Sequence, residues 1–145
     1  MVQHETEPSH WLTNQIHRLG LIAYAGEKPV GWVAVAPRVE YPHLNQTRDT
    51  APLGDITRIW VVPCFFVVEA NRGQGVATIL LHAAVEFAKE HGATAIEGVP
   101  GDPDTRTRSP SASYTGSTAL FQAMGFQEFC RRTPKGRVVM RRTWS

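Results

Sequence analysis

Six consecutive residues, Arg72-Gly73-Gln74-Gly75-Val76-Ala77, have the types and spacing of an anion-binding loop. Two glycines separated by one residue let the backbone turn tightly, so that successive N–H groups can point at one anion. A helix that begins at this loop would add its unpaired N–H groups and the positive end of its dipole. Arg72 adds a permanent cation whose fork of donors suits phosphate oxygens. The stretch predicts a pyrophosphate-binding loop, and an ordinary strand-to-helix turn is the alternative.

Two familiar phosphate-binding loops do not fit this stretch. The dinucleotide-binding fingerprint has a third glycine and the P-loop has Gly-Lys followed by Ser or Thr, and neither feature occurs here. The pattern that remains is Arg-x-x-Gly-x-Ala between a predicted strand and a predicted helix. It resembles the acyl-CoA pyrophosphate loop of the GNAT superfamily of N-acyltransferases, whose pattern is Gln/Arg-x-x-Gly-x-Gly/Ala.

The resemblance to one bacterial branch of this superfamily extends over about residues 19–142. The matching segments are residues 31–38, 41–42, 60 and 64–67 before the loop, and 97–98, 114–116 and 123–126 after it. The fold that the resemblance implies is a mixed α/β (α+β) arrangement with a mostly antiparallel sheet flanked by helices. One central strand of that sheet is expected to splay away from its neighbour.

The resemblance also implies where acetyl-CoA, the expected co-substrate, would bind. Its pyrophosphate would lie on residues 72–77. Its pantetheine arm would pair with the splayed strand through the main chain of Phe65 and Val67, on either side of Phe66. The side chains of both phenylalanines fit equally well in the core, because the expected contacts use the backbone. Phe121, in the helix after the cleft, completes the expected cofactor contacts.

The general acid is left open by the same resemblance. In many family members a tyrosine of the second helix protonates the departing thiolate, and the matching position here is Phe121, which has no proton to donate. Tyr114 lies close in sequence, at the entrance to the same helix, and is the leading candidate for the missing hydroxyl group. A tyrosine packed at a loop edge is the alternative interpretation.

The general base is open as well. Many relatives carry an acidic residue on the central strand, where this sequence has Val61. Glu97, on the next strand, is the leading candidate, followed by Glu69 and Asp102. A charge within an apolar strand is costly unless it is exposed or paired, which favours a site role for Glu97. A strand with one face in water would also accommodate it.

These residues predict an N-acetyltransferase that moves an acetyl group from acetyl-CoA to a primary amine by direct attack in a ternary complex. The acceptor would be a small-molecule or peptide amine, and the sequence does not identify it. A non-catalytic acyl-CoA-binding or regulatory module is the main alternative, because Phe121 lacks an acidic proton and the front of the domain is short. A protein that binds another nucleotide through the same loop is a third.

The predicted elements place these residues around one sheet. The central strand over residues 55–68 is broken at Pro63, because proline cannot donate to a sheet ladder. The other predicted elements are a hairpin of strands 21–25 and 30–36, a loop over 38–53, a helix over 76–91, a strand over 93–99, a loop over 100–113, a helix over 118–124 and a hairpin of strands 126–132 and 137–143.

The whole chain, residues 1–145, is predicted to be one domain. GNAT domains usually have a first strand and two helices before the hairpin, and here residues 1–19 stand in their place, with one helix predicted over 10–19. Those helices commonly shape the acceptor pocket, so this pocket would be open, completed by a partner subunit, or lost. Exposed sheet edges are compatible with a homodimer.

Composition limits the other classes of function. A net charge of +2, with basic residues spread along the chain, does not indicate nucleic-acid binding. No apolar run is long enough to cross a bilayer and the polar start lacks a secretion signal, so a cytoplasmic protein that does not bind membranes is expected. Cys64 and Cys130 are predicted to be free thiols. The six histidines show no ligand spacing, so no metal is expected.

Overall fold

The computed structural model describes residues 2–4, 19–73, 75–100 and 116–144. Their strands form one eight-stranded sheet, which confirms the predicted mixed α/β fold. The strands are β1 (Val2–His4), β2 (Leu19–Ala25), β3 (Lys28–Pro37), β4 (Ile59–Val62), β5 (Phe65–Val67), β6 (Ala95–Gly98), β7 (Gln127–Arg131) and β8 (Val138–Thr143). The α-helices of the described ranges are α1 (Pro42–Gln46), α2 (Val76–Glu90) and α3 (Thr118–Ala123).

The sheet is antiparallel at all but one of its strand pairs. Its order is β1-β2-β3-β4-β6-β8-β7, and β5 pairs with β3 outside this path. The parallel pair is β4 with β6, because the chain crosses over through α2 between these two strands. The predicted hairpins are confirmed by the pairs β2 with β3 and β7 with β8.

β4 and β5 are two parts of the predicted central strand, separated at Pro63 and Cys64. β4 lies between β3 and β6, whereas β5, among the described residues, pairs with β3 alone. β6 ends at Gly98, opposite Val62, and β5 begins at Phe65. We call the opening between β5 and the end of β6 the fork. It is the splay that the sequence predicted.

The helix α2 packs on one face of the sheet, and this packing fixes the position of its first turn. Trp60 of β4 packs edge-on against Phe87 of the helix, with ring centroids 5.7 Å apart. The helix ends at Glu90, and Gly92 beyond it has a φ of +88°, a conformation that favours glycine. The buried residues of α2 are Val76, Leu80, Leu81, Ala83, Ala84, Val85, Phe87 and Ala88.

The segment predicted as a loop over residues 38–53 contains regular structure. A short 3-10 helix covers Arg38–Glu40, and α1 follows it. Pro42 begins α1 instead of interrupting it, because the first position of a helix needs no N–H donor and suits the fixed φ of proline. The prediction of an irregular loop is therefore wrong for these residues.

The front of the chain also differs from the sequence prediction. Val2–His4 pairs with β2 as an antiparallel strand, in the place where no strand was expected. Leu19, predicted to end a helix, begins β2, and the rest of that predicted helix lies outside the described residues. The loop predicted over 100–113 lies outside them from residue 101 onward. None of the described helices is both long and apolar enough to span a membrane.

Candidate active site

The loop between β5 and α2 has the backbone shape that its two glycines predict. Gly73 and Gly75 are in the left-handed region, with φ of +80° and +82°, and Gly75 is the N-cap of α2. A Cβ atom on either glycine would meet no atom within 4 Å. Because Gly75 has no side chain to cap the helix, it leaves the first N–H groups of α2 to a ligand. Gln74 lies outside the described residues.

Arg72 connects this loop to the neighbouring strand. Its Nε donates a hydrogen bond to the carbonyl oxygen of Val67 at 3.0 Å. The side chain of Arg72 therefore folds back onto the last residue of β5. A contact between Arg72 and phosphate stays a prediction.

The strand β5 directs part of its backbone toward the fork. In an antiparallel pair, residues bonded to the partner alternate with residues whose N–H and C=O point away from it. Val68 donates to the carbonyl oxygen of Val30 at 2.9 Å, so alternate residues from Val68 backwards face β3. Phe65 and Val67 therefore direct their N–H and C=O groups away from β3, as the pantetheine contact requires. Their side chains are buried in the core at the same time.

Phe121 fills the base of the fork. Its buried ring packs edge-to-face against Phe65 and Phe126, with centroids 6.1 and 4.9 Å away. Two glycines make room for the ring: a Cβ atom would lie 2.2 Å from it at Gly98 and 2.8 Å from it at Gly116. Phe121 is thus a packing wedge between β5 and β6, and its contact with the cofactor stays a prediction.

Gly98→Ala is expected to destabilise the protein by about 1–3 kcal/mol, because the added methyl group overpacks the site of the Phe121 ring. Denaturant unfolding followed by circular dichroism measures the effect. Gly54→Ala is the matched control, since a Cβ atom at Gly54 meets nothing within 4 Å. Equal stability of the two variants would show that Phe121 does not need the space at Gly98.

A buried ion cluster lies beside the fork. Glu97, 1% exposed, accepts a hydrogen bond at one carboxylate oxygen from Nη1 of Arg38. Its other oxygen accepts from Nε and Nη2 of Arg141, at 2.9 and 2.5 Å. Asn45 holds Arg38 from another side, because its Oδ1 accepts from Nε of the arginine at 2.8 Å. The charge within the apolar strand β6 is therefore paired.

Glu97 lies beside the position at which the resemblance places an acidic base. Val61 of β4 and Glu97 of β6 are register partners, so their side chains lie on the same face of the sheet. Both carboxylate oxygens already bind guanidinium groups, and the side chain is buried. A general-base role for Glu97 stays a prediction, and its contacts favour a role in holding the two arginines.

Of the other predicted catalytic residues, the structure describes Glu69 alone, and Glu69 is not part of this cluster. Tyr114 and Asp102 lie outside the described residues, and Glu69 is exposed in the 3-10 helix Glu69–Asn71. Arg38 and Arg141 were not among the predicted site residues, although Arg38 follows an apolar strand and Arg141 lies within one, as Glu97 does. Within the described ranges, no three His, Cys, Asp or Glu side chains group as metal ligands.

Comparison with known proteins agrees with this geometry. A model of the acetyltransferase (GNAT) family matches residues 2–126. The aminoglycoside N(6')-acetyltransferase type 1 of Acinetobacter haemolyticus is 29% identical over 119 residues, which are 82% of this chain and 69% of that protein. The family match therefore includes the loop and the fork. Of the buried cluster it includes Arg38, Asn45 and Glu97, whereas Arg141 lies beyond it.

Solved structures show the same fold. A GCN5-related N-acetyltransferase from Kribbella flavida has a TM-score of 0.60 at 20% identity, covering 94% of this chain and 74% of its own. An aminoglycoside acetyltransferase in complex with coenzyme A has a TM-score of 0.61 at 18% identity, covering 89% and 68%. The chain belongs to the acetyltransferase (GNAT) family and is an acyl-CoA-dependent N-acetyltransferase.

Proposed function

We propose that the protein transfers an acetyl group from acetyl-CoA to a primary amine of a small-molecule acceptor, by direct attack in a ternary complex. Acetyl-CoA supplies the thioester: the amine nitrogen forms a C–N bond to the acetyl carbon as the C–S bond breaks, the amine loses one proton and the thiolate gains one. The chain has to bind both reactants, polarise the carbonyl group and leave a path for the two protons.

The observation that carries this proposal is the backbone of β5, of Gly73 and of Gly75 at the start of α2. The backbone groups of Phe65 and the N–H of Val67 come first, with the C=O of Val67 bonded to Arg72, and then the left-handed Gly73 and Gly75 at the N-terminus of a 15-residue helix. An extended arm followed by a pyrophosphate needs these two features in this order. The residues present therefore fit acetyl-CoA.

The chain's own groups suit parts of the reaction. A backbone N–H of β5 that points into the fork, at Val67, would donate to the developing oxyanion of the thioester carbonyl. Tyr114 is our candidate for the proton that the thiolate gains. Since Glu97 is enclosed by two guanidinium groups, we assign the proton lost by the amine to water that reaches the fork.

A small-molecule acceptor is supported by the curated relative, whose name describes acetylation of aminoglycosides. A solved structural neighbour contains coenzyme A together with kanamycin. Amines of this class are therefore included among the first acceptors to test, beside amines of other classes.

The test is release of the CoA thiol from acetyl-CoA, with mass spectrometry of the acetylated product, over a panel of aminoglycosides, polyamines, amino acids and short peptides. We expect turnover of at least one amine. Tyr114→Phe should lower kcat by about 10²-fold or more, as expected for loss of a general acid. Tyr24→Phe, in β2 away from the fork, is the control and should keep full kcat.

Saturable binding of acetyl-CoA without turnover of any amine in the panel would contradict this proposal and favour the binding module. Turnover that Tyr114→Phe leaves unchanged would remove only the assignment of the acid.

A further inference from the structure

One donor of the buried ion cluster has no acceptor among the residues that the structure describes. Arg38 is 2% exposed, and within the part of the chain that the structure describes its Nη2 atom has no hydrogen-bond partner. Its other two nitrogens bond to Glu97 and Asn45. A buried donor without a partner is costly, so a guanidinium fork held in this way is suited to a ligand oxygen.

The charge of the cluster also favours an anion. Arg38 and Arg141 bring two positive charges, and Glu97 is the single carboxylate that accepts hydrogen bonds from both. Among the described residues the cluster therefore has one more positive than negative charge; Arg38 is buried, and the side chain of Arg141 is 23% exposed. Burying an unbalanced charge is expensive, and an anionic group of a ligand would balance it.

The position of the cluster relates it to the acceptor. Glu97 lies one residue before Gly98, where the fork opens, and is the register partner of Val61. Ile96 packs in the core under α2, so Glu97 points to the opposite face of the sheet, because side chains alternate along a strand. The cluster therefore lies on the face of the sheet opposite to α2, beside the end of β6 where the fork opens.

The outer wall of the cluster is an aromatic ring on an irregular strand. The pairing of β7 with β8 shifts between Glu128 and Cys130, so Phe129 is the bulged residue. Phe129 is 40% exposed, and its ring lies 3.7 Å from the guanidinium carbon of Arg141. Bulges commonly redirect a side chain next to a site. Arg141 is thereby held between a buried carboxylate and a solvent-accessible ring.

We propose that Arg38 and Arg141 bind a carboxylate of the acceptor, so that the substrate class is amines that also carry a carboxylate close to the amino group. The inference rests on the proposed acetyl transfer. A carboxylate is favoured because both guanidinium groups already accommodate one, that of Glu97, and because Nη2 of Arg38 remains as a charged donor for an oxygen of a second carboxylate. Glu97 then acts as a positioning residue that keeps the two arginines pointed at the fork.

The first test compares two ligands on unmodified protein saturated with CoA, so that the pyrophosphate loop is occupied. N-acetylglycine carries the carboxylate, and N-acetylglycinamide is the same molecule with a neutral amide in its place. NMR chemical-shift titration measures weak binding of both. We expect N-acetylglycine to bind at least about tenfold more tightly. Equal affinities, or no binding of either ligand by the CoA-loaded protein, would overturn the inference.

The second test is Arg38→Lys, which keeps one positive charge beside Glu97 and removes the second arm of the fork. We expect it to lower the affinity for N-acetylglycine about tenfold and to leave that for N-acetylglycinamide unchanged. Arg58→Lys, an exposed arginine before β4, is the matched control and should keep the preference. A preference retained in Arg38→Lys would contradict the assignment. CoA binding by each variant reports whether it is folded.

The two proposals fail in different ways. Loss of the proposed acetyl transfer would appear as absent CoA binding or absent turnover over the amine panel. Failure of the carboxylate inference would appear in protein that binds CoA, as equal affinity for N-acetylglycine and N-acetylglycinamide. Faster turnover of aminoglycosides than of amino acids would be the second sign of that failure.

Discussion

Gly75→Asp is expected to weaken the binding of CoA by about 100-fold or more, which corresponds to about 2.7 kcal/mol. Gly75 is the N-cap of α2 and has a φ of +82°, so an aspartate there would carry its charge beside the N–H groups that receive the pyrophosphate. It would repel the phosphates and compete with them for the same donors. Calorimetric titration with CoA measures the loss.

Two further variants separate the charge from the strain. Gly26→Asp adds the same side chain at another exposed glycine of positive φ, +64°, in the turn between β2 and β3, and should keep the affinity for CoA. Gly75→Asn has nearly the same shape as the aspartate, without the charge, and asparagine tolerates the left-handed region better than most residues. A folded Gly75→Asp protein with unchanged affinity would show that this loop does not bind the pyrophosphate.

Glu97→Ala is expected to lower the free energy of unfolding by about 3–5 kcal/mol, because it leaves Arg38 buried without its charge partner. Arg141 loses two hydrogen bonds through the same change. Denaturant unfolding measures the effect. Glu128→Ala on β7 is the control: its carboxylate is exposed and lies 3.6 Å from Arg131, and removing an exposed pair costs about 0–1 kcal/mol.

A loss in Glu97→Ala no larger than in Glu128→Ala would contradict the view that the Glu97 carboxylate is buried in its pair with Arg38. It would instead mean that solvent reaches the carboxylate, and that an acceptor amine can reach it as well. The stability measurement thus also bears on the predicted base role of Glu97.

The parts of the fold that were predictable depend on residues close in sequence. The hairpin around Gly26 follows from two apolar segments that flank a turn, and α2 follows from apolar residues at intervals of three and four. The break at Pro63 follows from the missing N–H of proline. The backbone conformation of Gly73 and Gly75 was predictable because the left-handed region favours glycine.

The remaining features depend on contacts between residues distant in sequence. Arg38 and Glu97 are 59 positions apart, and Arg141 is 44 beyond Glu97. Only the sheet order, which places β6 beside both β4 and β8, brings these charges together. The apolar residues around Glu97 predict that it is exposed or paired, but its partners lie too far away in sequence to be identified from it.

Some residue types are compatible with two local structures, and tertiary contacts decide which of them forms. Proline is compatible with both a loop and the first turn of a helix, and at Pro42 the helix forms. The wedge role of Phe121 has a similar origin, because Gly98 and Gly116 make room for its ring from two other parts of the chain. In the sequence, Phe121 indicates only that the general-acid tyrosine of many family members is absent. In the structure its ring packs between Phe65 and the two glycines.

The measurement that tests the central claim most directly is calorimetric titration of the unmodified protein with acetyl-CoA and with CoA. The backbone of β5, Gly73 and Gly75 predicts saturable binding of both, with one molecule per chain, and similar affinities because the acetyl group lies beyond the groups that bind the arm and the pyrophosphate. A folded protein that binds neither ligand would contradict the assignment of the loop and fork as the acyl-CoA site.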